Sequence, residues 1–228
     1  MKITYLGHAA FMLSENGLNV LTDPFLSESP VRNNLNCDVK ADYILVSHGH
    51  PDHLGDTVNL ASKYNSRVVS IFEVATYLSK KGVENIAPMN IGGKLNTEFG
   101  YVKMCQAVHS SSIMEDDGRI YGGIAAGFII NFFEKIIYFA GDTALFYDMK
   151  LIGDLNKIDV ALLPVGGNFT MDVDEALYAL DLIKPKIVIP MHYNTWPVIN
   201  ADIEKFLKGA ETKKIKGVCL GIDESVEI

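Results

Sequence analysis

The feature that most constrains this chain is a histidine-rich segment, Ser47–Leu54, that directly follows the apolar run Tyr43–Val46. A short, wholly apolar run of this kind is typical of a strand buried on both faces. The segment holds three of the six histidines in the chain, so the cluster is not a scatter of surface residues. Loops at strand ends are where sheet-based folds usually build their sites. We therefore expect a functional cluster at this strand end, made of His48, His50, Asp52 and His53.

The spacing within this cluster indicates metal binding. His48 and His50 are two residues apart, and in extended backbone both can point to the same side. Asp52 and His53 fall at the entry to a predicted helix and can turn towards a neighbouring point. Imidazole nitrogens and carboxylate oxygens suit zinc, iron or manganese. Two metals about 3.5–4 Å apart would let one cluster serve both, with the remaining ligands supplied from elsewhere.

Further residues of ligand type follow other predicted core strands. They are His109 after Tyr101–Val108, Asp142 after Ile136–Ala140 and His192 after Ile187–Pro190. A carboxylate has two oxygens, so Asp142 could bridge two metals. For an isolated histidine such as His109 or His192, a packing role would ordinarily be the simpler interpretation, and only the order of the whole set favours a metal.

The pattern of apolar residues predicts two β-rich halves, each carrying helices. Short segments between residues 3 and 22 predict an antiparallel meander, and residues 109 to 122 form a polar stretch rich in serine and acid. The last third alternates between helix Leu145–Leu155, strand Val160–Pro164, helix Asp174–Ile183, strand Ile187–Pro190, helix Ala201–Leu207 and strand Lys216–Gly221. We predict an α/β fold of two mixed sheets packed face to face with helices outside, in a single domain over residues 1–228.

The order of the candidate ligands resembles that of the metallo-β-lactamase superfamily. The matching residues are His48-x-His50-x-Asp52-His53, then His109, Asp142 within Gly-Asp-Thr, and His192. The segments Leu6–Phe11 and Leu21–Pro24 further resemble a branch of small metal-dependent hydrolases. That branch is related to ascorbate-lactone hydrolases and N-acyl-phosphatidylethanolamine phospholipase D. The resemblance implies a four-layer αβ/βα sandwich, in keeping with the pattern above.

The resemblance also implies which ligands hold each metal. The first of two divalent metals would be held by His48, His50 and His109, the second by Asp52, His53 and His192, with Asp142 bridging. Zinc is the first expectation, with manganese, iron or nickel as alternatives. The enzyme would hydrolyse a small ester, lactone or phosphodiester, and Asp52 could also transfer a proton as a catalytic residue.

Four more residues are candidates for supporting the metals or contacting substrate. Asp23 ends a strand and matches the acidic residue that the superfamily often places behind the ligand histidines, where it would fix a tautomer. His8 either lines the substrate pocket or satisfies a backbone group, and the sequence does not decide between them. Asn168 and Thr195 lie in loops beside predicted ligand strands and could contact substrate.

The net charge and the composition limit the kinds of partner that the chain can be expected to bind. The net charge is −8, and the longest Lys/Arg run is a pair, so a nucleic-acid substrate is not expected. The N-terminus does not resemble a signal peptide, and the apolar stretch 122–140 is too interrupted to span a membrane, so no membrane insertion is expected. Three widely spaced cysteines fit a reducing cytoplasm. A small-molecule substrate is expected, and association into a homo-oligomer stays open.

The competing functions differ in the ligands and the insertions that they require. A mononuclear iron dioxygenase of the same fold is the main alternative, but the chain has enough ligands for two metals. Flavodiiron enzymes usually have an acid where this chain has His50. RNA-processing relatives add a protruding arm for which this chain has no evident insertion. A non-catalytic binding module would be expected to lose ligands, and none is lost here.

Overall fold

The chain forms two large mixed sheets; the computed structural model describes residues 1–33 and 35–228. The strands are β1 (Lys2–Gly7), β2 (Ala10–Glu15), β3 (Leu18–Thr22), β4 (Tyr43–Val46), β5 (Arg67–Ile71), β6 (Ile86–Met89), β7 (Lys94–Thr97) and β8 (Gly100–Gln106). They continue with β9 (Ser112–Glu115), β10 (Gly118–Tyr121), β11 (Ala126–Phe132), β12 (Lys135–Phe139), β13 (Val160–Pro164), β14 (Ile187–Met191), β15 (Lys216–Gly217) and β16 (Ser225–Glu227). The helices are α1 (Pro51–Leu54), α2 (Thr57–Tyr64), α3 (Phe72–Lys80), α4 (Met149–Leu155), α5 (Val173–Ile183) and α6 (Ile203–Thr212).

Each large sheet combines an antiparallel and a parallel part. The first has the order β16-β1-β2-β3-β4-β5-β6, and β3 to β6 run parallel. The second has the order β15-β14-β13-β12-β11-β8-β7, and β12 to β15 run parallel. Parallel neighbours end at the same edge of a sheet, so the loops after β12, β13 and β14 lie side by side. The Ala126 amide donates to the Ser47 carbonyl over 3.0 Å, which joins the end of β4 to the second sheet.

The buried side chains of both sheets form one hydrophobic core. All four residues of β4 are buried, as the apolar run predicted. Helices α2 and α3 pack against the first sheet, while α5 packs between α4 and α6. The prediction of two mixed sheets with helices is therefore confirmed.

Several element boundaries differ from the sequence-based prediction. The helix predicted from Leu145 begins at Met149, because the preceding loop is held by tertiary bonds: the Ala144 amide donates to the Val108 carbonyl over 3.1 Å. Strand β8 ends at Gln106, so His109 lies in a loop beyond it. The polar stretch after His109 contains the hairpin β9–β10, whose Asp-Gly turn signal the prediction missed. Helix α6 covers Ile203–Thr212 instead of Ala201–Leu207, and β15 ends at Gly217 instead of Gly221.

Candidate metal centre

All seven predicted ligand side chains converge where the strand ends of the two sheets meet. His48 and His50 follow β4, and the short helix α1 carries Asp52 and His53. The second sheet contributes His109 from the loop after β8, Asp142 after β12 and His192 after β14. Because each strand is fixed in the core, the loops deliver these side chains from four separate parts of the chain to one place.

Three histidines form the first group. The Nε2 atom of His48 lies 2.9 Å from Nδ1 of His50, and the His109 ring centroid is 5.1 and 5.2 Å from theirs. Burial lowers the pKa of His50 and His109, and it lowers the pKa of His48 to well below the usual value. Neutral imidazoles keep a lone pair on one ring nitrogen, which is what a divalent cation needs.

The second group consists of Asp52, His53 and His192. The Oδ2 atom of Asp52 lies 3.9 Å from Nε2 of His53 and 3.8 Å from Nε2 of His192. Burial acts to raise the pKa of Asp52, but the charge of His53, the nearby His192 and the contact with His8 hold it well below its usual range. Burial acts to lower the pKa of His192, yet the Asp142 carboxylate raises it to about 9.

Asp142 lies between the two groups. Its Oδ1 is 3.3 Å from Nε2 of His53, and its Oδ2 is 3.0 Å from Nε2 of His192. The same Oδ2 is 3.6 Å from Nε2 of His109, which belongs to the first group. One buried carboxylate thus reaches histidines of both groups, as a bridging ligand must.

The donor atoms fit divalent metals. Within residues 1–33 and 35–228, the buried His53 Nε2 and Asp142 Oδ1 have no hydrogen-bond partner. Unpaired buried polar atoms are costly, and a cation between them would satisfy both. A cation would also replace the protons that the carboxylates attract to His53 and His192, so metal binding would release protons. Nitrogen and carboxylate donors of this kind suit zinc, manganese, iron or nickel.

Asp23 lies behind both groups. Its Oδ2 accepts a hydrogen bond from His53 Nδ1 over 2.6 Å and another from the Ser47 hydroxyl over 2.6 Å. The Ser47 oxygen lies 2.9 Å from Nδ1 of His48. With its hydrogen donated to Asp23, this hydroxyl can only accept from His48, so the Nε2 atoms of both histidines keep their lone pairs. Burial raises the pKa of Asp23, although these hydrogen bonds oppose the shift.

The backbone at the site is unusual. His8, Asp23 and His192 have φ angles of 56°, 33° and 54°, a left-handed region that few residues other than glycine adopt. The His192 amide donates to the His8 carbonyl over 2.9 Å, which fixes two of these residues to each other. Such conformations persist where the surrounding structure imposes them, and they cluster at functional sites.

The remaining predicted residues fall into two classes. His8 is buried within hydrogen-bonding distance of Asp52 Oδ2 (3.2 Å) and of Thr195 Oγ1 (2.8 Å), so both residues adjoin the second group. Asn168 lies in the loop after β13, is exposed and has a φ angle of 52°. Its side chain makes no hydrogen bond with the described parts of the chain, so the structure gives it no link to the cluster.

Sequence reasoning missed several serines around the first group. Ser47 links Asp23 to His48, as described above. Ser111 accepts from the Gly49 amide over 3.1 Å and donates to the Gly122 carbonyl over 2.8 Å, which anchors the hairpin β9–β10 beside the cluster. The Ser110 hydroxyl lies 3.4 Å from Nε2 of His50. The signal was present in the run of three serines directly after His109, but serine runs are common in ordinary loops.

A cavity of about 220 Å³ lies beside α1, and none of the seven predicted ligands is among its lining residues in the described chain. Its wall includes Gly49 and Pro51, the two neighbours of His50 in the chain, and Phe25, whose ring centroid is 5.7 Å from that of His8. The other lining residues are Ser27, Glu28, Leu54, Gly55, Asp56, Asn59 and Met114. The lining of this cavity holds two carboxylates and no lysine or arginine of the described chain.

Comparisons with known proteins identify the family and the fold of the chain. The model of the Beta-lactamase superfamily domain matches residues 2–192. The chain is 49% identical to a UPF0173 metal-dependent hydrolase of Carboxydothermus hydrogenoformans, over 97% of this chain and 94% of that one. It is 35% identical to the metallo hydrolase Igni18 of Ignicoccus hospitalis, with a TM-score of 0.85 over 99% and 97% of the chains. CmlA, a diiron β-hydroxylase of Streptomyces venezuelae, shares the fold at 16% identity and a TM-score of 0.79, covering 100% of this chain and 54% of its own.

The more similar relatives and the histidine and aspartate cluster together identify a metal-dependent hydrolase. The chain belongs to the metallo-β-lactamase superfamily, as the order of its ligands predicted. None of the helices in the described residues is long and apolar enough to cross a membrane.

Proposed function

We propose that the enzyme is dinuclear and hydrolyses a small ester, lactone or phosphodiester. The first metal would be held by His48, His50 and His109, the second by Asp52, His53 and His192, with Asp142 shared. The observation that carries this proposal is the position of Asp142, whose two oxygens lie within 3.6 Å of histidines from both groups. A single-metal enzyme would have no need of a carboxylate placed between two complete sets of donors.

The chemistry follows from the donor set. Bound divalent metals would acidify a water molecule and polarise the carbonyl or phosphoryl oxygen of the substrate. Asp52 is the residue best placed to move a proton, because its side chain is one-quarter exposed whereas His53 and His192 of the same group are buried. Asp23 would hold His53 and, through Ser47, His48 in the tautomers that leave Nε2 free.

The cavity beside α1 favours a neutral substrate over an anionic one. Glu28 and Asp56 contribute its two carboxylates, and the lining has no basic side chain to attract a phosphate. Apolar atoms of Phe25, Leu54 and Met114 would accommodate a hydrocarbon portion. A carboxylic ester or lactone therefore fits this wall better than a phosphodiester does.

The iron dioxygenase alternative is less favoured by the same cluster. A mononuclear iron enzyme uses one set of donors, whereas this chain supplies two sets and a shared carboxylate. CmlA shows that the fold can host diiron chemistry, but at 16% identity it bears on the fold alone. The more similar relatives are named as hydrolases.

The test is turnover of a lactone and ester panel alongside bis-p-nitrophenyl phosphate. Activity should disappear on chelation and return with zinc or manganese, with esters or lactones turned over faster than the phosphodiester. An Asp142→Asn variant should lose activity with every substrate, because an amide cannot replace a carboxylate shared by two cations. Binding of one iron without hydrolysis would instead indicate the dioxygenase.

A further inference from the structure

His8 is the one histidine at the cluster that the metal assignment leaves without a role. It is fully buried, and its ring contacts the rings of His192 and Trp196 at centroid distances of 4.1 and 5.1 Å. Both ring nitrogens have partners: Nδ1 lies 2.8 Å from Thr195 Oγ1, and Nε2 lies 3.2 Å from Asp52 Oδ2. The two partners come from different loops, and one of them, Asp52, is a proposed ligand of the second metal.

These two contacts determine which nitrogen carries the hydrogen. An ionised carboxylate only accepts hydrogen bonds, so the contact with Asp52 requires a hydrogen on Nε2. Nδ1 then has a lone pair and accepts from the Thr195 hydroxyl. The reverse tautomer would face the Nε2 lone pair with the carboxylate, and it would leave the Thr195 hydrogen without an acceptor among the described residues.

We propose that His8 is a positioning residue that holds the Asp52 carboxylate through an Nε2–H bond, with Thr195 fixing its tautomer. This inference rests on the proposed two-metal function, in which Asp52 belongs to the second metal. Asp52 Oδ2 lies 3.8 and 3.9 Å from the Nε2 atoms of His192 and His53. Donors of one cation with bonds near 2.1 Å lie about 3.4 Å apart, so the bond from His8 keeps Asp52 close to a binding geometry.

Through its contact with Nδ1 of His8, Thr195 links the position of the His8 ring to the loop after β14. His192 and Thr195 both belong to that loop, and the His192 amide also donates to the His8 carbonyl over 2.9 Å. The loop therefore contacts His8 through its backbone and through its ring. His8 joins the end of β1 to a ligand from each sheet, Asp52 and His192.

A matched pair of variants separates positioning from simple packing. His8→Gln places an amide N–H near the position of Nε2, within reach of Asp52. His8→Asn suits the left-handed backbone at this position better, but its amide reaches only as far as Nδ1. We expect His8→Asn to weaken binding of the second zinc about 10- to 100-fold with the first unchanged, and His8→Gln to restore most of it. Thr195→Val should fall between them, Thr195→Ser should resemble the wild type, and Thr57→Val serves as a control for removing a buried hydroxyl.

The decisive measurement is the tautomer of His8 in the zinc-loaded protein, read from long-range ¹H–¹⁵N correlations. A hydrogen on Nε2 and none on Nδ1, together with rescue by His8→Gln, supports the proposal. A hydrogen on Nδ1, or a His8→Gln variant that loses the second zinc as completely as His8→Asn, overturns it and indicates that His8 ligates metal directly. If the wild type binds only one zinc, the two-metal function fails, while the tautomer still decides the role of His8.

Discussion

Asp23 Oδ2 and His53 Nδ1 lie 2.6 Å apart, and neither residue has any exposed surface. The bond fixes the hydrogen of His53 on Nδ1 and directs the Nε2 lone pair towards Asp142. Asp23 has the same effect on His48 through the Ser47 hydroxyl. A single carboxylate thus orients one histidine from each proposed metal group.

This relationship predicts different outcomes for two substitutions. Asp23→Asn should weaken the binding of both metals about 10- to 100-fold. The amide can present its N–H to His53, so it no longer enforces the tautomer of that histidine. Ser47→Ala should weaken binding of the first metal more than that of the second, because Ser47 contacts His48 directly and His53 only through Asp23. Zinc titration of each variant, with thermal unfolding as a control for folding, checks the difference. Equal effects of Ser47→Ala on both metals would refute the assignment of His48 and His53 to separate groups.

Removal of the His50 side chain should weaken metal binding and leave folding nearly unchanged. Its side chain is only partly buried and lies outside the hydrophobic core, so His50→Ala should unfold at nearly the wild-type temperature. The first metal should bind more than about 100-fold more weakly. This loss exceeds the roughly 10- to 100-fold expected when only a hydrogen bond that orients a ligand is removed. Hydrolysis should fall in parallel. A variant that retains full turnover would show that the proposed mechanism is wrong.

The metal-free protein should be most stable near pH 6.5. Burial lowers the pKa of His8 to about 4 from 6.5, so the unfolded chain binds more protons between these values and stability falls as pH falls. Although burial opposes it, the Asp142 charge raises the pKa of His192 to about 9. The folded chain then binds more protons above 6.5, and stability falls as pH rises.

Each of these two effects is on the order of 3 kcal/mol. Urea unfolding after chelation, repeated from pH 4 to pH 9, measures them. Zinc should remove the alkaline loss, because it replaces the proton on His192. A midpoint that keeps rising to pH 9 without metal would contradict the charge assignment.

Gly166 should be required for the placement of His192. A Cβ atom at this position would clash with the His192 carbonyl oxygen, a backbone atom that cannot move independently of the loop. Gly166→Ala should therefore displace His192 and weaken the second metal more than the first. Zinc titration tests this, and an alanine variant with wild-type affinity at both metals would show that the loop adapts without cost.

Much of the site could be predicted from the sequence because its ligands are rare residue types at strand ends. Histidine and aspartate have few structural reasons to follow core strands, so the order from His48 to His192 was informative. The supporting contacts were harder to predict. Ser47 and Ser111 are common loop residues, and Thr195 was expected only to contact substrate; the fold shows that Ser47 contacts His48 and that Thr195 contacts His8.

The fold was predictable to a similar extent. Strand β4 was evident from its apolar run, and alternation in the last third indicated the parallel part of the second sheet. The hairpin β9–β10 was missed although its Asp-Gly turn signal lies in the sequence, whereas the start of α4 depends on a tertiary hydrogen bond from Ala144 to Val108. Local patterns carry no information about such long-range partners.

The most direct test of the two-metal centre is metal content per chain, by elemental analysis of the wild type and of Asp142→Asn. The proposed function predicts two divalent metals per wild-type chain and a marked loss in the variant, because both groups share this carboxylate. One metal per wild-type chain, or an Asp142→Asn variant that still holds two, would contradict it.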